Sequence, residues 1–176
     1  MSDPHVSLEQ STDPTAGREI VVTRLINAPR ELVFDAWTTP ERVAQWWGPD
    51  GFTTTTHEME VRPGGHWRLI MHGPDGTDYN NHIVFDEIVR PERIVYRHVP
   101  ERGTEPVSFQ TTVTFVASGN KTLLTMRALF DTAAERDAVQ EKYGALEGGQ
   151  QTVARLAAYA EACEGLTGQG SGGPIP

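Results

Sequence analysis

Apolar positions recur along the chain with two different periods, and the switches between them mark the elements. A β-rich run at 19–26, with Ile20, Val21, Val22, Leu25 and Ile26, predicts a first strand. Asn27 and Pro29 then supply a cap and a first-turn proline to a helix in which Leu32, Val33, Ala36 and Trp37 recur at helical spacing. A second short helix is predicted after Thr39, with Pro40 near its start, Val43, Trp46 and Trp47 on one side, and Gly48-Pro49-Asp50-Gly51 as its stop. Alternation with period two takes over in 52–61, 66–72, 82–89, 94–99, 107–117 and 122–130, which predicts six further strands joined by short turns. Helical spacing returns in 133–143 and 145–163, where Leu146, Gly149, Val153, Leu156 and Ala160 form an apolar stripe.

Strand, two short helices, six strands and a long helix make an α+β chain with a seven-stranded antiparallel sheet. Its economical packing is a curved sheet whose concave face grips the long helix. Alternation assigns the inward set: Trp67, Leu69 and Met71; Ile94, Tyr96 and His98; Val107, Phe109, Val113 and Phe115; Leu124, Met126 and Phe130. Counting in twos from Met59 and Val61 places His57 on the same inner face and Glu58 and Glu60 outside. The run at 82–89 fits either face, and a bulge would reconcile its two halves.

Composition bounds the rest. A chain of 176 residues with net charge -9 is one domain of ordinary size without the basic stripe that a nucleic-acid binder needs. A single cysteine, Cys163, allows no internal disulfide and suits a reducing, cytoplasmic setting. No apolar run approaches the length of a membrane span, so membrane insertion is not expected. Polar residues at 1–17 read as a flexible N-terminal arm, and the glycines of 164–176 as a disordered tail, leaving 18–163 as the folding unit.

The chemistry is sparse. The chain has no phosphate loop, no zinc-protease motif, no nucleophile elbow and no cysteine pair, so no metal or cofactor is expected. His57, His98 and Tyr96 are the candidate polar or catalytic groups inside an apolar space, each able to hydrogen-bond a ligand or to be satisfied locally. Trp46, Met59, Trp67, Leu69, Met71, Phe109, Met126 and Val153 are candidate lining, with plain core packing as the competing reading. Gly148 and Gly149 sit early in a strong helix former, where glycine costs about 1 kcal/mol relative to alanine. Gly149 lies on the stripe that faces the sheet, so it marks either a close approach of helix and strand or the edge of a cavity.

Several motifs in order carry a resemblance. Arg42-Val43-Ala44-Gln45-Trp46-Trp47-Gly48-Pro49, Glu60-Val61-Arg62-Pro63-Gly64-Gly65-His66-Trp67-Arg68, Met71-His72-Gly73-Pro74-Asp75-Gly76-Thr77 and Glu147-Gly148-Gly149-Gln150-Gln151 with Arg155-Leu156 are similar to bacterial proteins related to the C-terminal domain of the activator of heat-shock protein 90 ATPase. These belong to the SRPBCC, or START-like, superfamily. The resemblance implies the helix-grip fold and a hydrophobic small molecule held between sheet and long helix. Some branches catalyse cyclisation, aromatisation or hydrolysis there. Many relatives carry a tryptophan after a glycine in the first turn of the long helix; Gly149 at that place implies a roomier pocket. Three functions follow as expectations: a binder of a hydrophobic or aromatic small molecule; an enzyme of the polyketide cyclase, aromatase or hydrolase type with His57 or His98 as acid-base and Tyr96 as donor; and a co-chaperone-like interaction module. A homodimer is left open.

Overall fold

A computed structural model describes Thr15 and residues 17–171, with side chains to Gly165. Strand β1 (Glu19–Ile26) leads into helices α1 (Arg30–Thr38) and α2 (Pro40–Val43). Strands β2 (Thr53–Met59), β3 (His66–His72), β4 (Asp78–Val89), β5 (Arg93–His98), β6 (Phe109–Ser118) and β7 (Lys121–Leu129) follow, then α3 (Ala133–Tyr143) and α4 (Ala145–Ser171). The seven strands form one antiparallel sheet in the order β1-β7-β6-β5-β4-β3-β2. It is therefore a meander whose first strand returns to pair with its last, and α4 crosses the concave face against β1.

The elements form for local reasons that the structure refines. Pro29, not Asn27, occupies the N-cap position of α1, and no side chain caps it. The Asn27 N–H is instead satisfied by Glu161 Oε2 of α4 at 2.9 Å. Thr132 caps α3 by accepting the Glu135 N–H at 3.0 Å, and Gly144 ends that helix in the left-handed region, φ 60° and ψ 47°. The break between the last two helices is thus Gly144; Gly148 and Gly149 lie in the first turns of α4. That helix runs on past Cys163 to Ser171, through the start of the expected tail, because glycine weakens a helix without forbidding it. The rest of the tail, 172–176, and the arm apart from Thr15 and Gly17 lie outside the described residues.

The core is organised by aromatic edges. Trp37 packs on Trp46 and Trp47 with ring centroids 5.0 and 5.7 Å apart, and Trp47 on Trp67 at 4.7 Å. Trp46, Trp67, Leu69 and Val153 are buried there, so four of the expected lining residues serve packing. Two bulges set the sheet's faces. One interrupts β4 between Phe85 and Glu87, so Ile83, Phe85 and Ile88 all face inward, as the ambiguous pattern required. The other interrupts β2 between Thr56 and Glu58. The extra residue is His57, and it is exposed: counting in twos across the bulge had turned it inward. Thr56 takes the inner place, opposite Leu69.

Candidate ligand cavity

Where α3 turns into α4 at Gly144, the helix corner stands off the sheet and leaves an apolar space. An inner chamber of about 210 Å³ is bounded by Ile20, Met71, Tyr96, His98, Phe109, Thr111, Met126, Ala128 and Phe130 on the sheet. Gly148, Gly149 and Thr152 of α4 and the Trp47-Gly48-Pro49 segment close it. A second chamber of about 290 Å³ opens beside it past Phe52, Tyr79, Asn81, Glu105 and Lys142. The two share Pro49, Met71, His98, Phe109, Val139, Tyr143 and Ala145, so they are neighbouring parts of one site.

Each wall is fixed by identifiable contacts. On the sheet, His98 stacks on Phe109 with centroids 4.3 Å apart, and Phe109 meets Phe130 at 4.8 Å. On the loop wall, Arg155 of α4 donates through one guanidinium nitrogen to the carbonyls of Gly48 at 2.8 Å, Pro49 at 3.0 Å and Trp47 at 3.4 Å. Gln151 Oε1 accepts the Asp50 N–H at 3.1 Å. At the corner, Gln140 Oε1 accepts the Leu146 N–H at 2.7 Å, and the Tyr143 hydroxyl donates to Glu105 Oε1 at 2.9 Å across the mouth. A Cβ on Gly149 would meet Met126 Cε and Val22 Cγ2 at 3.2 Å each. Both readings of this glycine therefore meet in one place, since α4 seats closely on β1 and β7 there and the chamber begins beside it.

The polar groups are few and hold ordinary protonation states. Burial raises the Tyr96 phenol well above its usual range, with the Thr111 side chain opposing it. Burial lowers His98 to about 4, so its ring is neutral at pH 7, and its Nδ1 is enclosed without a hydrogen-bond partner. Burial, then the hydrogen bond and charge of Glu105, push Tyr143 up to about 12. His82, also buried, lies on the convex face instead, 2.8 Å from His66 Nδ1 through its Nε2. No group of three His, Cys, Asp or Glu among the described residues could hold a metal ion.

Of the residues singled out by sequence, Met71, Tyr96, His98, Phe109, Met126 and Gly149 come together around this space. Met59 packs against the core beside Trp67, and His57 is outside. Val139, Tyr143 and Ala145 of the helix corner also line it without being among the sequence candidates, as does Thr111, whose odd position on β6 puts it in the inward set.

Residues 27–161 match the family described as activator of Hsp90 ATPase homolog 1-like protein. The chain belongs to that family. Solved structures agree on the SRPBCC, START-like helix-grip architecture of this activator of Hsp90 ATPase homolog 1-like chain. A protein from Nitrosomonas europaea matches with TM-score 0.74 and 23% identity over 84% of this chain and 96% of its own. One from Arthrobacter aurescens matches with TM-score 0.78 and 22% identity over 85% and 90%. DynU16, described as a protein of the dynemicin biosynthetic locus, matches with TM-score 0.60 and 24% identity over 84% of this chain but 48% of its own. No curated protein matches. No helix among the described residues is long and apolar enough to cross a membrane.

Proposed function

We propose that this family member binds a hydrophobic, ring-containing small molecule in the two-chambered cavity under the helix corner, in a reducing compartment such as the cytoplasm. The observation that carries the reading is the space itself, walled by aromatic and methionine side chains with a few polar groups. Its chambers, about 210 and 290 Å³, are each below the roughly 300–1,000 Å³ of drug-sized sites and suit a compact ligand. Soft Met71 and Met126 can adapt to a ring, and Phe109 offers it a flat partner.

An enzymatic use of the same cavity, of the cyclase, aromatase or hydrolase kind, draws support from the likeness to a protein of a biosynthetic locus. It asks for a group that exchanges a proton near neutral pH. Tyr96, His98 and Tyr143 are all held away from that range, which favours binding over acid-base catalysis. An interaction module asks for a filled core and an exposed apolar patch. The second requirement alone finds support, in Leu25, Leu123 and Val116, aligned across β1, β7 and β6 and 51%, 39% and 53% exposed.

The test is native mass spectrometry of the purified chain for co-purified small molecules, with a titration against naphthalene. Ala145 borders both chambers, and Ala145→Trp places an indole in the space. We expect the wild type to bind and the variant to lose roughly tenfold or more in affinity, about 1.4 kcal/mol. A folded Ala145→Trp variant with undiminished binding would place the ligand elsewhere.

A further inference from the structure

We propose that Thr55, His72 and Asp78 form an acyl-transfer site on the convex face of the sheet, away from the cavity, where Thr55 takes the acyl group of an activated ester. Strand register brings the three together. His72 ends β3 and stands directly opposite Asp78, the first residue of β4. Thr55 of β2 pairs with Ile70, two residues before His72, and so shares its face with it. The turn between His72 and Asp78 is closed by the Gly73 N–H, which donates to the Thr77 carbonyl at 2.7 Å, and by the Thr77 N–H, which donates to Asp75 Oδ1 at 3.0 Å. Thr55 and Asp78 are exposed and His72 is half-buried, so a small ester can reach them from solvent.

The distances assign the protons. Asp78 Oδ1 lies 2.7 Å from His72 Nδ1, and Thr55 Oγ1 lies 2.8 Å from His72 Nε2. A carboxylate only accepts, so in the neutral ring Nδ1 carries the hydrogen and Nε2 turns its lone pair to the Thr55 hydroxyl, which donates to it. Nucleophile, base and orienting carboxylate then stand in the order that activates a side-chain hydroxyl toward an acyl carbon. In the reaction Thr55 Oγ1 forms a bond to the acyl carbon and its proton passes to Nε2. The bond to the leaving alcohol oxygen breaks, and that oxygen takes the proton from Nε2. Water removes the acyl group by the same steps, releasing a carboxylic acid and restoring Thr55. Among the described residues β2 is the last strand of the sheet, and the outer side of an edge strand offers unpaired N–H groups to the carbonyl oxygen as it becomes negative. Thr55 and His72 are the catalytic residues; Asp78 is a positioning residue that acts through the ring proton of His72.

The probe is p-nitrophenyl acetate with the full chain, p-nitrophenolate release being followed by absorbance and the acetyl group located by peptide mass mapping after an acid quench. We expect acetyl on Thr55, formed at least about 100-fold more slowly in His72→Gln, the lower end of what general-base catalysis supplies. Thr55→Val, which keeps the branched side chain a strand accepts, should lose the release that depends on His72, and Thr55→Ser should keep it. An amide at position 78 can donate to Nδ1 and move the ring proton to Nε2. Asp78→Asn should therefore slow acetylation while the nitrogen-15 shifts of the His72 ring change places; unchanged acetylation despite that exchange overturns the triad. Wild type without acetyl on Thr55, releasing p-nitrophenolate no faster than His72→Gln, overturns the site. Release that survives Thr55→Val but not His72→Gln puts the attack on the imidazole and overturns the role of Thr55. Naphthalene, the cavity probe, should leave the rate unchanged, since the site stands apart from the binding reading; inhibition by naphthalene would move the reaction into the cavity and overturn the placement.

Discussion

His98 joins the cavity's chemistry to the stability of the fold. Burial lowers its folded pKa from 6.5 to about 4, so between those values the unfolded chain binds a proton that the folded chain does not. Stability must then fall as the pH drops from about 6.5 toward 4 and level off below, by up to about 3 kcal/mol from this group. Urea denaturation of wild type and His98→Phe across pH 7.5 to 4 checks it. The variant should lack this part of the acid sensitivity, and parallel pH profiles would contradict the assignment. Alternation along 94–99 was enough to turn Tyr96 and His98 inward, because β5 runs unbroken. His57 shows where the same logic stops. One extra residue at a bulge reverses every face beyond it, and nothing in Thr-Thr-Thr-Thr-His-Glu-Met announces where the bulge falls.

At the scale of elements, the cavity exists because α4 holds the Trp47-Gly48-Pro49 segment at a fixed distance. Arg155 is the residue that does so, with one nitrogen serving three carbonyls. Arg155→Met keeps most of the side-chain stem and removes the donors, leaving part-buried carbonyls unpaired. We expect a loss of about 2–3 kcal/mol, read as a lower urea midpoint at unchanged slope. An unmoved midpoint would show that packing and the Gln151–Asp50 hydrogen bond hold the segment without Arg155. The sheet, the two short helices and the long helix were legible as periodicity, and Gly149 as an oddity on its stripe. The part played by α3 was not. Its sequence, AAERDAVQEKY, has no buried residue in the structure, and only Val139 and Tyr143 stand out as bulky apolar positions one turn apart. A helix that covers a cavity without entering the core leaves little trace in a hydrophobic pattern.

For the whole molecule, the resemblance and the pattern agree on the helix-grip fold, and the family match over 27–161 supports it. The place of the cavity within that fold was less legible. The twelve expected lining residues spread it from Trp46 and Trp67 to Gly149, whereas Trp46 and Trp67 close the core and the space lies toward the helix corner, among Met71, Met126, Phe109 and His98. The methionines offer the most direct test of that placement. Met71 and Met126 line the cavity, while Met59 packs against the core beyond its walls. In a sample labelled with carbon-13 at the methionine methyl groups, titration with naphthalene should move the Met71 and Met126 resonances and leave Met59 in place. A titration that moves none of them, or moves Met59 as far as the other two, would contradict the account.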